Sequence, residues 1–129
     1  MSLNNYNLKK IKGDASFRTF FRKRNNNQTS IIVYSKKEKK KNLLIYDAIN
    51  KILLNNCILA PKLLNQNYDN NFIEVNDFGD VSIVKELKKT KKNKLSIFKK
   101  IIFLLIKIQK IKTKEIKTFL KTKYKIPIY

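Results

Sequence analysis

Gly13-Asp14-Ala15-Ser16-Phe17-Arg18-Thr19-Phe20-Phe21-Arg22 sets a short polar turn directly ahead of a strand-like segment. Phe17, Thr19 and Phe21 fall on one side of that segment, and Arg18, Phe20 and Arg22 on the other. Gly13 is one of only two glycines in 129 residues. Glycine permits backbone conformations and close approaches that a Cβ blocks. A polar turn between strands can aim backbone N–H groups at an anion. Two readings are open at this point: an ordinary hairpin loop, and a hairpin that covers phosphates. The order of the segments around it favours the second.

Working outward, residues 7–12 read as a first strand and 17–24 as a second. A polar turn follows at Asn25-Asn26-Asn27-Gln28. Residues 29–34 (Thr-Ser-Ile-Ile-Val-Tyr) are a β-branched run and the clearest strand. Ser35 and Glu38 have the spacing of a capping box. The spacing predicts a helix from there to about Leu54, with Leu44, Ala48 and Ile52 on its apolar face, flanked by Ile45, Ile49 and Leu53. Its first turn is rich in lysine, the wrong sign for a helix N-terminus. A nearby anion would relieve that conflict; solvated lysines at small cost are the alternative. Strands are expected at 62–65 and 71–75. Asn76-Asp77-Phe78-Gly79-Asp80 then carries the second glycine at a sharp change of direction. Asp80 or Ser82 caps a helix over 82–89, and a second helix, 95–111, has a broad apolar face that needs partners on more than one side. Residues 113–129 are basic, end in Ile126-Pro127-Ile128-Tyr129 and show no terminating signal.

Composition narrows the function classes. The chain has 30 basic and 9 acidic residues, a formal net charge of +21. Of the basic residues 27 are lysine, and the three arginines are Arg18, Arg22 and Arg24. Lysine, isoleucine and asparagine (27, 18 and 16 residues) all have A/T-rich codons, so a low-GC genome accounts for the composition without selection for binding. The charge still attracts polyanions non-specifically and in a salt-dependent way. Arginine, which base readout favours, is scarce. There is no histidine, which removes the commonest general base and most zinc sites. The single cysteine, Cys57, lies in an apolar stretch and is expected to be buried. The longest apolar run, residues 101–106, is far short of a membrane span, and no signal-peptide pattern opens the chain. A soluble, cytoplasmic protein without a membrane partner is the expectation.

Residue by residue, the chain resembles the aminoglycoside phosphotransferase family, and within it the bacterial N-acetylmuramate/N-acetylglucosamine kinases. Members open with a GDASFRRYFR-like segment. Gly13-Asp14-Ala15-Ser16-Phe17-Arg18 and Phe21-Arg22 match it, with Thr19-Phe20 where Arg-Tyr is common. Leu59-Ala60-Pro61 resembles the segment ahead of the fourth strand. Asn76-Asp77-Phe78-Gly79-Asp80 is similar to the family's Glu-Asp-Leu-Gly-Asp hinge. Leu104-Leu105-Ile106-Lys107-Ile108-Gln109 and Ile126-Pro127-Ile128-Tyr129 fall in the family's order.

The resemblance implies an α+β fold: a protein-kinase-like N-terminal lobe with hinge over residues 1–80 (a five-stranded antiparallel sheet plus one helix). Residues 81–129 would begin a helical C-terminal lobe that is cut short. It implies that Gly13, Asp14, Ala15 and Ser16 cover the phosphates of ATP, and that Asn76, Asp77 and Phe78 contact adenine through backbone groups. Two departures bear on activity. The third strand ends Val33-Tyr34-Ser35, with no lysine in the phosphate-pairing position, so Lys36 or Lys37 would have to reach back; its acidic partner would be Glu38 or Asp47. The family's HxDxxxxN-like loop and metal-binding aspartate find no counterpart, since there is no histidine and the last acidic residue is Glu115. The expectation is a nucleotide-binding portion with weak or vestigial ATP binding and no catalytic or metal-ligating residue of its own. Mg²⁺ would be held only together with a missing C-terminal lobe, for instance one encoded separately. The alternative is a small lysine-rich nucleic-acid-binding protein.

Overall fold

The computed structural model describes residues 7–12, 17–26, 28–36, 39–89, 94–112, 115–117 and 123–125. Strands β1 (Asn7–Lys10), β2 (Arg18–Asn25), β3 (Gln28–Ser35), β4 (Leu63–Asn67) and β5 (Phe72–Asn76) form one antiparallel sheet in the order β1-β2-β3-β5-β4. Helix α1 (Lys39–Asn55) connects β3 to β4. Helices α2 (Ile83–Lys89) and α3 (Lys94–Gln109) follow β5. The α+β class with a five-stranded antiparallel sheet is as the sequence predicts. The tail departs from expectation: β6 (Glu115–Lys117) and β7 (Lys123–Lys125) pair as a small hairpin.

β3 is the sheet's centre. It pairs with β2 along its whole length and with β5 from Ser30 to Tyr34. The β2–β3 turn is tight, with Asn25 opposite Gln28 and Asn26 at φ 50°. Asparagine tolerates this left-handed backbone better than most residues. On one side of the sheet Val33, Ile73 and Val75 meet Leu43 of α1 and Tyr68 to form the core. Val33, Leu43 and Ile73 are fully hidden from solvent.

Helix α1 packs on that side, rotated from the expected face. Leu43, Asp47, Ala48, Asn50 and Ile52 are buried, while Ile49 is exposed. The two buried polar residues explain the difference, because hydropathy periodicity assigns Asp47 and Asn50 to the wet side. Asp47 is satisfied by Lys51 Nζ at 2.6 Å, one turn on. Burial, and secondarily the Asp47 charge, push the Tyr68 phenol up to about 12.

Both ends of α1 differ from the sequence reading. Ser35 is not its N-cap: it is the last residue of β3, buried, and its N–H donates to the Asn71 carbonyl at 3.1 Å. Glu38 lies outside the described residues. At the other end the N–H of Cys57 donates to the Leu54 carbonyl (3.0 Å) and that of Ile58 to the Leu53 carbonyl (2.9 Å), the Schellman pattern. Cys57 occupies the left-handed position, φ 54°, and is exposed rather than buried. The geometry turns its side chain to solvent and sends Ile58 inward instead. Ser82 does cap α2, since its Oγ accepts from the Lys85 N–H at 3.3 Å and its carbonyl from the Glu86 N–H.

The core makes a direct prediction. Ile73→Ala should cost about 2–5 kcal/mol in urea unfolding, through lost burial and a residual cavity. Leu59→Ser, at a side chain left 79% exposed, should stay within about 0.5 kcal/mol. Similar costs for the two would contradict this core.

Candidate functional site

The register of β3 sets Arg22 and Val75 on either side of Ile31 in one row across the sheet, on the side that faces α1. Phe20 lies two residues along β2 on the same side. Beyond Asn76, the last residue of β5, the chain leaves the sheet, and residues 77–80 cross the end of this row. The result is a cleft of about 260 Å³, with Phe20, Ile31, Tyr46 and Val75 as apolar walls and residues 76–80 as its rim.

The rim has little burial to hold it: Phe78 is half exposed, and residues 77–79 belong to no strand or helix. Hydrogen bonds fix it at both ends. At the start, Asn76 Oδ1 accepts from the Lys62 N–H (2.6 Å), and the Asn76 N–H donates to the Lys62 carbonyl (3.2 Å). At the turn, the Gly79 N–H donates to Asp77 Oδ1 at 2.8 Å. Gly79 has φ +77°, a left-handed conformation glycine adopts without strain. At the far end, Lys85 Nζ donates to the Asp80 carbonyl at 2.9 Å.

Arg22 ties the rim to β2. Its Nε meets Asp77 Oδ2 at 2.6 Å and its Nη2 meets Asp77 Oδ1 at 3.1 Å. Its Nη1 lies 2.8 Å from both oxygens of Asp80. The Arg22 and Asp77 side chains are 12% and 4% exposed, whereas that of Asp80 is 73% exposed. Burial pushes the Asp77 carboxyl up, but hydrogen bonds from Arg22, the Gly79 N–H and Thr29 outweigh it and hold the group below the ordinary carboxylate range. The same carboxylates push the Arg22 guanidinium up, so it stays charged.

A second arginine stands next along this side of β2. The Arg18 guanidinium carbon is 5.1 Å from the centre of the Tyr46 ring, and its Nη1 donates weakly to Asn42 Oδ1 (3.4 Å). Phe20 meets Tyr46 at a ring separation of 6.5 Å, so β2 and α1 are joined through one aromatic residue. On the opposite side of the sheet Lys23 and Ser30 both donate to Glu74, away from the cleft.

Of the residues the sequence singles out, Asn76, Asp77 and Phe78 come together at the cleft rim. Asn76 is bonded to Lys62 through both its side-chain oxygen and its backbone N–H. Gly13, Asp14, Ala15 and Ser16 lie outside the described residues, as do Lys37 and Glu38. Asp47 is engaged by Lys51, and Lys36 is exposed beyond the end of β3. Sequence reasoning missed the Arg22–Asp77–Asp80 lock and the part played by Tyr46. One signal was present: two of only nine acidic residues stand three apart beside a glycine, with two of only three arginines in the motif ahead. Among the described residues, no group of three or more His, Cys, Asp or Glu side chains is placed to hold a metal ion. The two carboxylates at the cleft, Asp77 and Asp80, are both engaged by Arg22. No described helix is long and apolar enough to cross a membrane.

Ionised Asp77 stabilises the fold, because its folded pKa lies below its unfolded one. That contribution is complete above an ordinary aspartate value of about 4 and is lost as pH falls through the folded value. The urea midpoint of the wild type should therefore drop more steeply than that of Asp77→Asn between about pH 5 and about pH 2. Parallel profiles would show that Asp77 is not the group responsible. In comparisons with known proteins, no family model, no curated protein and no solved structure matches this chain.

Proposed function

We propose that the chain is the nucleotide-binding portion of a sugar kinase similar to the aminoglycoside phosphotransferases. In such an enzyme the γ-phosphate of ATP passes to a sugar hydroxyl. The observation that carries this reading is the cleft between the α1-facing side of the sheet and the crossing segment 76–80. Its volume of about 260 Å³ falls below the roughly 300–1,000 Å³ of sites that enclose a drug-sized ligand. It suits one flat ring system, with the rest of a nucleotide lying outside.

Apolar walls above and exposed peptide groups at the edge are what a purine requires. Ile31 and Val75 would pack on its face, and the peptide groups of Asp77 and Phe78 would pair with its polar edge. The strand order β1-β2-β3-β5-β4 with a helix between β3 and β4 supports the same reading. The β1–β2 connection, residues 11–17, leads from the cleft residue Ile11 to the start of β2. On this reading Gly13, Asp14, Ala15 and Ser16 stand over the phosphates, and Mg²⁺ is bound only with residues these 129 do not include. Transfer needs an aspartate to orient the acceptor and ligands for the metal; a C-terminal lobe, in this or another chain, would supply both.

The net charge of +21 makes simple ATP binding ambiguous. Adenosine, which carries no charge, is the informative ligand. The protein should bind adenosine saturably, and Ile31→Trp, which fills the cleft, should weaken it by at least about tenfold. Tripolyphosphate should lose its binding between low and physiological salt, whereas adenosine should not. With Mg-ATP and an amino sugar, no phosphorylation should be detected. Binding that is confined to polyanions, equal for RNA and tripolyphosphate, would replace this reading with charge attraction alone. Sugar phosphorylation by the purified chain would refute the assignment of catalysis to absent residues.

A further inference from the structure

We infer that Arg22 is a positioning residue: through Asp77 and Asp80 it fixes the peptide groups of the 76–80 rim against β2, and so sets the affinity of the cleft for a flat heterocyclic ligand. The second half of the inference rests on the nucleotide reading above; the first half stands without it.

The argument begins with what the rim lacks. Residues 77–80 lie outside the strand ladders, and with Phe78 and Asp80 turned to water they gain little from hydrophobic burial. Gly79, at φ +77°, adds the backbone freedom of a residue without a Cβ, and no neighbouring atom packs against it there. Such a segment samples many conformations unless polar contacts restrict it. Three nitrogens of one guanidinium provide the restriction. Nε and Nη2 grip the two oxygens of Asp77 side by side, and Nη1 spans to Asp80, three residues further along. Asp77 in turn takes the Gly79 N–H. The first and last residues of the turn are thereby referred to a single rigid group rooted in β2, which also carries Phe20 of the cleft wall.

The geometry is specific to arginine. A planar fork engages two oxygens in fixed directions, whereas an ammonium is a point charge that holds no direction. Lysine at this position keeps the charge and loses the alignment. The two carboxylates also divide the role. Asp77 is buried against the fork, so its loss affects folding as well as the rim. Asp80 is exposed, and exposed pairs contribute little to stability. Asp80→Asn therefore separates positioning from folding.

The test measures amide hydrogen exchange and adenosine binding in Arg22→Lys, Asp80→Asn and a distant control, Asp69→Asn. In both rim variants, exchange at the Gly79 amide, which donates to Asp77, should quicken several-fold while β3 and β5 amides keep their protection, and adenosine affinity should fall by about three- to tenfold. The control should behave as the wild type. Unchanged exchange at the Gly79 amide in both rim variants overturns the positioning role. Quickened exchange with undiminished adenosine affinity overturns the link to the cleft. A wild type that binds no adenosine refutes the nucleotide reading, and the exchange data then decide the positioning role alone. If Arg22→Lys fails to fold, Asp80→Asn decides.

Discussion

The structure depends on the double pairing of β3. Side chains along a strand alternate between faces, so the register of one strand dictates which residues of its neighbours share a side. β3 fixes two neighbours at once: Ile31 stands between Arg22 and Val75, and Val33 between Phe20 and Ile73. A slip by one residue on either edge would move Val75 or Phe20 to the far side and dismantle core and cleft together. The β-branched run Ile31-Ile32-Val33 resists this, because Val33 is buried in one cluster with Leu43 and Tyr68 and Ile31 packs against that cluster. The cleft is therefore a by-product of the core rather than an addition to it. Its apolar walls continue the residues that hold α1 to the sheet.

Much of the sheet was legible because its determinants are local. β-branched runs bounded by asparagine turns announce strands, and Ser82 announces a helix start. The misjudged features share a different cause: each depends on a contact distant in sequence. Ser35 has the right spacing for a capping box, but β3 and β5 stay paired to their ends and Asn71 claims its amide first. Cys57 has apolar neighbours, yet the helix end needs a left-handed residue there, and Ile58 takes the inward place. Asp47 and Asn50 are buried, so the hydropathy of α1 points slightly away from its true face.

The candidate site shows the same division. The motif segments contain Arg22, Asp77 and Asp80, yet the bond that joins them, Arg22 to Asp77, spans 55 positions. Spacing alone does not reveal a contact of that reach. The basic residues also separate by chemistry once placed. Lysines occur along the whole chain, as composition drift would place them, whereas all three arginines lie in β2. Two of them do work that a lysine does poorly: Arg18 stacks over Tyr46, and Arg22 forks onto a carboxylate.

Helix α3 carries Leu95, Phe98, Ile102, Phe103 and Leu105 to the surface, and none of its residues is buried. Lysines at 94, 99, 100 and 107 are interspersed among them. In dilute buffer, repulsion between like-charged molecules keeps these oily surfaces apart. That repulsion reaches only about 8 Å at physiological ionic strength and about 3 Å in molar salt, while sulfate and phosphate strengthen apolar contact. Concentrated salt, which protects most proteins in storage, should therefore favour self-association of this polypeptide through α3.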